Sequence, residues 1–213
     1  MIPKCIIFDC DGTLVDSEAI TNGVIAEMAG ELGIAMTGKE ASNTFGGKTL
    51  DEVLYKMKEL SGKSLPDDWL PRLIQKVNIS WEEKLRPVDG VLEILKNIRI
   101  PVCVASNGEP THVRNSLRLT KLYDFFDENI FTASEVKAPK PEPDLFLYAA
   151  EKMGFEPNEC VVIEDSVTGV KAAVNANIEV YGIINSLFSE NELRNAGAIP
   201  FKSMHELPAL LGL

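Results

Sequence analysis

Apolar residues fall along this chain in two rhythms. Four short runs, 5–8, 102–105, 161–163 and 180–184, are rich in Val and Ile with little alternation, as expected of strands covered on both faces. Segments 91–98, 111–119, 145–152 and 167–176 instead repeat apolar positions at helical spacing. Strand, helix, strand in repetition predicts an α/β fold, a parallel sheet joined by right-handed crossovers. Ligands of such sheets gather at the carboxyl ends of the strands, and Asp9, Ser106 and Asp165 all stand at such ends.

Between residues 17 and 86 the rhythm changes. No strand-like run occurs there; helical stretches at 19–32, 50–60 and 70–85 are separated by Gly33, Gly46, Gly47 and Pro66. The simplest account is an all-helical module, 17–86, inserted after the first strand of a core formed by 1–16 and 87–213, with "RPVDG" (86–90) supplying the turn residues of a hinge. Trp69 and Trp81 are expected to pack these helices together.

Composition narrows the partners. Hydrophobic residues at 45% and charged residues at 25% describe a globular chain with a real core. The 32 acidic residues outweigh 21 basic ones for a net charge of −11, a field that repels nucleic acid and anionic membrane. A phosphorylated ligand therefore needs local positive charge or a metal. Cys5, Cys10, Cys103 and Cys160 show no metal-ligand spacing and are expected to be reduced packing residues of a cytoplasmic protein. No stretch approaches the roughly 20 apolar residues of a membrane span, and the apolar run before Asp9 is too short for a signal peptide.

Candidate chemistry begins at "CIIFDCDGTLVDSE". Two carboxylates, Asp9 and Asp11, follow a buried strand at a spacing of two. Alone they could cap a turn or a helix, but three further strand-end groups accompany them. In "VASNGEP", Ser106 and Asn107 offer a hydroxyl and backbone N–H groups suited to phosphate oxygens before Pro110 opens a helix. In "KAPKPEPDLF", Pro139, Pro141 and Pro143 stiffen the chain, so Lys140 is expected on a rigid extended segment, with Asp144 capping the next helix. In "CVVIEDSVTGVKAA", Glu164 and Asp165 end a buried strand, where paired acids suit a hard cation such as Mg²⁺.

"FDCDGTLVDS", "VASN", "KPEPD" and "VIEDSVTGVKAA", in this order and approximate spacing, resemble the haloacid dehalogenase-like hydrolase superfamily, in the branch with a helical cap that includes phosphosugar phosphatases and beta-phosphoglucomutase. The resemblance covers essentially the whole chain. It implies a Rossmann-like core, Asp9 as the nucleophile that becomes an aspartyl phosphate, and Asp11 as general acid and then base. It further implies Ser106 and Lys140 as holders of the transferring phosphoryl group. Mg²⁺ would rest on the Asp9 carboxylate, the Asp11 backbone carbonyl and Asp165, with Glu164 assisting through water. Thr13 can orient Asp9; together with Asn107 and, in the cap turn "FGGKT", Gly47 and Lys48, it is expected at the substrate.

Asp11 with the Glu164–Asp165 pair points to phosphoryl transfer rather than carbon–halogen cleavage. In mutases of the branch a cap-hinge histidine closely follows the "DS" or "DT" pair; Thr21 occupies that place here, which favours hydrolysis. A Schiff-base lysine, as in phosphonoacetaldehyde hydrolases, finds no desolvated candidate in Lys48 or Lys56. A receiver domain would preserve its phospho-aspartate and lack both Asp11 and the insert, whereas an idle phospho-ligand binding protein would need no complete catalytic set. His112 and His205 belong to no constellation. The expectation is a cytoplasmic, Mg²⁺-dependent phosphatase, monomer or weak dimer, acting on a small phosphorylated metabolite such as a sugar or sugar-acid phosphate.

Overall fold

A computed structural model describes residues 2–46 and 48–213. In chain order the elements are β1 (Cys5–Phe8), α1 (Glu18–Glu31), α2 (Gly38–Phe45), α3 (Leu50–Ser61), α4 (Trp69–Lys84), α5 (Val91–Asn97), β2 (Val102–Ser106), α6 (Pro110–Leu119), β3 (Ile130–Thr132) and α7 (Asp144–Met153). They continue with β4 (Cys160–Glu164), α8 (Val167–Asn175), β5 (Glu179–Ile183), α9 (Glu190–Ala196), β6 (Ile199–Phe201) and α10 (Leu207–Leu211).

The strands form one parallel sheet in the order β3-β2-β1-β4-β5-β6. This is the doubly wound order in which the chain builds outward from β1 on one side and then restarts at β4 on the other, leaving a crevice at the carboxyl ends of the two strands. β1 is buried at every residue, and Cys5, Ile6, Ile7 and Phe8 pair in register with Cys160, Val161, Val162 and Ile163. One face of the sheet, from Cys5, Ile7, Ala105 and Val162, packs on Leu145, Phe146 and Ala149 of α7 and Val170 and Ala173 of α8. Each large apolar side chain so buried contributes about 1.5–3 kcal/mol. On the alternate positions, Phe8 meets Phe126 edge to face at 6.3 Å between ring centres.

The chain divides into two compact units, Met1–Val15 with Pro87–Leu213, and Asp16–Arg86. The second unit has only helices, α1 to α4, as regular elements among its described residues. Its α4 buries Trp69, Leu73, Val77 and Trp81, a stripe at intervals of four that matches the helical repeat. Each indole also finds an acceptor on α1: Trp69 Nε1 donates to the Met28 carbonyl at 3.4 Å, and Trp81 Nε1 to Thr21 Oγ1 at 3.1 Å. Capping boxes fix the starts of α2 (Thr37 with Glu40) and α3 (Thr49 with Glu52).

Candidate active site

Strand β1 does not end its pairing at Phe8. The Asp9 N–H still donates to Ile163 O at 2.9 Å, so the carboxylate leaves the sheet edge from a fixed backbone. The chain then turns tightly: Leu14 N–H donates to Cys10 O and Gly12 N–H to Val15 O, each at 2.8 Å. Gly12 makes that turn at φ +83°, where side chains are strained, and a Cβ there would lie 2.2 Å from Asp165 Oδ2. The glycine therefore serves both the bend and the close approach of an acid from β4.

Lys140 is buried and divides its ammonium between two carboxylates, 2.7 Å from Asp9 Oδ1 and 2.8 Å from Glu164 Oε1. The Phe146 ring lies 4.6 Å from the same nitrogen. The expected extended segment is in fact a turn, because Glu142 N–H reaches back to Pro139 O at 3.0 Å. Asn107 secures the turn from across the sheet edge: its Nδ2 donates to Lys140 O at 3.2 Å, and its Oδ1 accepts from Lys140 N–H at 3.0 Å. The side chain expected at substrate thus holds the lysine's backbone. Asp144 does not cap α7; Pro143 occupies the cap and Asp144 is the first helical residue.

The adjacent acids Glu164 and Asp165 diverge in their bonding. Glu164 Oε2 accepts from Asp165 N–H, Ser166 N–H and Ser166 Oγ, all at 2.9 Å, while its Oε1 faces Lys140. Ser166 in turn caps α8 by accepting from Gly169 N–H at 3.0 Å. Gly169 must lack a side chain, since a Cβ would lie 1.6 Å from Glu164 Oε1. Asp165 accepts from Thr13 Oγ1 at 3.3 Å and from Asn185 Nδ2 at 2.6 Å. Thr13, expected to orient Asp9, is fully buried and turns to Asp165 instead, because the Gly12 bend carries it beneath the end of β4.

Electrostatics follow from this crowding. Burial, reinforced by the charges of Glu164 and Asp11 and offset in part by Lys140, pushes Asp9 up to about 8. Burial alone would lower Lys140, yet Asp9 and Glu164 hold its ammonium above the ordinary lysine range. Asp9, Glu164 and Asp165 each bring a carboxylate oxygen within 4.8 Å of the others. Three carboxylates against one ammonium leave two negative charges uncompensated when all are ionised. An all-oxygen donor set with that excess fits a hard divalent cation, and Mg²⁺ is one that takes few protein carboxylates.

Ser106 and Asp11 approach one another around Gly108. Ser106 Oγ accepts from Gly108 N–H at 3.0 Å, and a Cβ on Gly108 would lie 3.3 Å from Ser106 Oγ and 3.6 Å from Asp11 Oδ2. His112, on the first turn of α6, is half-buried and feels the Asp11 charge, which opposes the lowering of its pKa by burial. His205 sits between Asp89 and Glu93 at 3.5 and 3.6 Å. Lys48 is exposed on the connection between α2 and α3. Gly47 lies outside the described residues.

A family model described as haloacid dehalogenase-like hydrolase matches residues 6–183, the span that carries Asp9, Asp11, Ser106, Lys140, Glu164 and Asp165. The chain belongs to the haloacid dehalogenase-like hydrolase family. Over 179 residues it is 29% identical to the 6-phosphogluconate phosphatase of Escherichia coli (strain K12), covering 84% of this chain and 81% of the relative. A phosphorylated carbohydrates phosphatase of Thermotoga maritima is 29% identical over 208 residues, 96% of each chain. The crystal structure of a haloacid dehalogenase family hydrolase from Deinococcus radiodurans R1, with bound phosphate and sodium, superposes with a TM-score of 0.82 at 31% identity, over 99% of this chain and 96% of that one.

Phosphoric monoester hydrolase, the enzyme class expected from the sequence, is the class of these named phosphatases. In this dehalogenase-like hydrolase no described helix is long and apolar enough to cross a membrane. Sequence reading did not single out Asn185 or Phe146. Asn185 carried one usable signal, a polar residue just past an apolar strand at the same sheet edge as Asp9 and Asp165.

Proposed function

We propose that this haloacid dehalogenase-like hydrolase is a Mg²⁺-dependent phosphatase of small phosphorylated metabolites, foremost sugar and sugar-acid phosphates, acting through an aspartyl phosphate on Asp9. The observation that carries the reading is the Lys140 ammonium, held between Asp9 Oδ1 and Glu164 Oε1 beside a third carboxylate, Asp165. In a chain of net charge −11 this is the local positive charge that an incoming phosphate requires.

An oxygen of Asp9 attacks phosphorus, forming one P–O bond as the bond to the leaving oxygen breaks. Asp11 delivers its proton to that oxygen, so the alcohol departs neutral. Asp11, now a carboxylate, takes a proton from water. The water attacks phosphorus, and the P–O bond to Asp9 breaks to release inorganic phosphate and restore the carboxylate. Lys140 and Ser106 hold the phosphoryl oxygens on which charge accumulates. Asp9 and Asp165, with the Asp11 backbone carbonyl, would hold Mg²⁺, with Glu164 keeping Lys140 in place alongside. When bound, the cation reduces the repulsion between a carboxylate nucleophile and an anionic phosphate.

The names of the relatives support sugar phosphates and a sugar-acid phosphate as the first substrates to test; the cytoplasmic setting and the monomer or weak dimer belong to the proposal on the sequence alone. Phosphate release from a panel of phosphometabolites and from p-nitrophenyl phosphate, with and without Mg²⁺, tests the proposal. Mg²⁺-dependent release is expected, with kcat/KM highest for a sugar or sugar-acid phosphate, and Asp11→Ala is expected to lower kcat by about 10²–10⁴. No release from any ester would place the chain with receivers or idle binding proteins. Interconversion of beta-glucose 1-phosphate and glucose 6-phosphate without net release would make it a mutase.

A further inference from the structure

Asp165 is fixed by more than its own backbone. Its Oδ1 accepts from Thr13 Oγ1 at 3.3 Å and its Oδ2 from Asn185 Nδ2 at 2.6 Å, while the Cβ-free face of Gly12 lies against the carboxylate. Asn185 follows β5, twenty residues beyond Asp165 in the sequence. Its own amide is locked: Oδ1 accepts from Leu187 N–H at 2.8 Å and from Phe188 N–H at 2.9 Å. With two backbone donors on the oxygen, the amide nitrogen is the group left to face Asp165, which settles the orientation of the side chain. Phe188 packs against the core cluster, so the loop that aims Asn185 is itself anchored.

We infer that Asn185 is a positioning residue, aiming the Asp165 carboxylate at the divalent cation. The inference rests on the cation reading above and adds to it a partner outside the acidic cluster. Carboxylate ligands commonly depend on such outer hydrogen bonds, whose removal costs about 10–100-fold in metal affinity. The amide also divides its two functions between its two atoms. The oxygen shapes the loop, and the nitrogen orients the acid.

That division defines the test. Asn185→Ser keeps an oxygen that can accept from the loop N–H groups but is too short to reach Asp165; Asn185→Ala loses both functions. Mn²⁺ and Mg²⁺ binding is measured by calorimetry on the unmodified protein and both variants, with the Mg²⁺ dependence of phosphate release alongside. The expected result is a dissociation constant raised at least about tenfold in both variants, the Mg²⁺ concentration for half-maximal rate raised by the same factor, and kcat at saturating Mg²⁺ within about threefold of the unmodified enzyme. Folded variants that bind Mn²⁺ as tightly as the unmodified protein would overturn the inference and leave the cation reading standing. So would a loss of kcat that saturating Mg²⁺ does not restore, or loss of far-ultraviolet circular dichroism in both variants, since Asn185 would then serve the loop alone. Absence of cation binding in the unmodified protein would instead sink the cation reading itself and this inference with it.

Discussion

The two ends of the β1–β4 strand pair present the same geometry with opposite chemistry. At the amino end Cys5 faces Cys160 in register; four residues on, beyond Ile7 and Val162, Asp9 and Glu164 leave the carboxyl end from the same face of the sheet. All four side chains are buried. The Cys103 thiol beside Cys5, together with burial, holds the Cys5 thiol well above its usual range, and Cys5 and burial do the same for Cys160. Thiols kept protonated in this way are inert packing groups, and all four cysteines are free and buried. A cavity of about 210 Å³ opens at this amino end, lined by Ile2, Pro3, Cys160 and Glu179 among others, yet no cation or convergent acids stand in it. The carboxyl end is marked instead by a buried lysine. Burial perturbs both ends, and only the end with an opposing charge gains chemistry from it.

Removing that charge is the strongest way to break the contrast. Lys140→Met leaves Asp9 and Glu164 facing each other without a cation, and breaking a buried pair in this way costs about 3–5 kcal/mol. Urea unfolding in the presence of a chelator at pH 8 measures it, and phosphate release should be lost in parallel. The deficit should shrink at pH 5, where the abandoned acids can take up protons. Adding Asp9→Asn and Glu164→Gln to the lysine variant should restore most of the stability without activity. A lysine variant as stable as the unmodified protein would mean that the carboxyl end is no more strained by its charges than the amino end is by its thiols.

The contrast was only partly legible in the amino-acid order. Strands β1, β2, β4 and β5 and helices α5 to α8 stand within a residue or two of where periodicity predicts them, because uninterrupted Val and Ile runs and regular apolar spacing leave little choice. Strands β3 and β6 were invisible: three residues each are too few to carry a rhythm, and Pro200 speaks against a strand except at an edge, where β6 lies. Helix α2, "GKEASNTF", has no apolar stripe of useful length, although Thr37 and Glu40 announce its start. Asp9, Asp165 and Lys140 could be picked out because strand ends and prolines flank them. Which group each donor would serve could not be read, since Thr13, Asn107 and Asn185 find their partners 152, 33 and 20 residues away.

A second prediction uses pH to sharpen the difference between the ends. Asp9 is pushed up to about 8, and a cation takes only its deprotonated form. Below that value protons compete, so affinity for Mg²⁺ should rise with pH, approaching about tenfold per unit between pH 6 and 7.5, and level off above 8.5. Calorimetry in buffers of different ionisation enthalpy should record close to one proton released per cation bound at pH 6.5 and far fewer at pH 9. A flat affinity with no proton release would place the proton elsewhere and remove burial as the force acting on the carboxyl end.

The smallest expected effect lies at the amino end and tests the inert half of the comparison. Cys5 is fully buried between β2 and β4 neighbours and touches no group assigned to the chemistry. Cys5→Ala removes one buried atom and leaves a small void, so unfolding free energy should fall by about 1 kcal/mol, at the mild end of core truncations. The value of kcat, the Mg²⁺ affinity and its pH dependence should all stay within twofold of the unmodified enzyme, because Ile7 and Val162 separate the position from Asp9 and Glu164 by about 13 Å of strand. Unfolded protein should react at once with a thiol reagent, while folded protein reacts only as fast as it opens. A fall in kcat well beyond the loss of folded protein would show that the amino-end thiols communicate with the acids, and the two ends of the strand pair would have to be treated as one site.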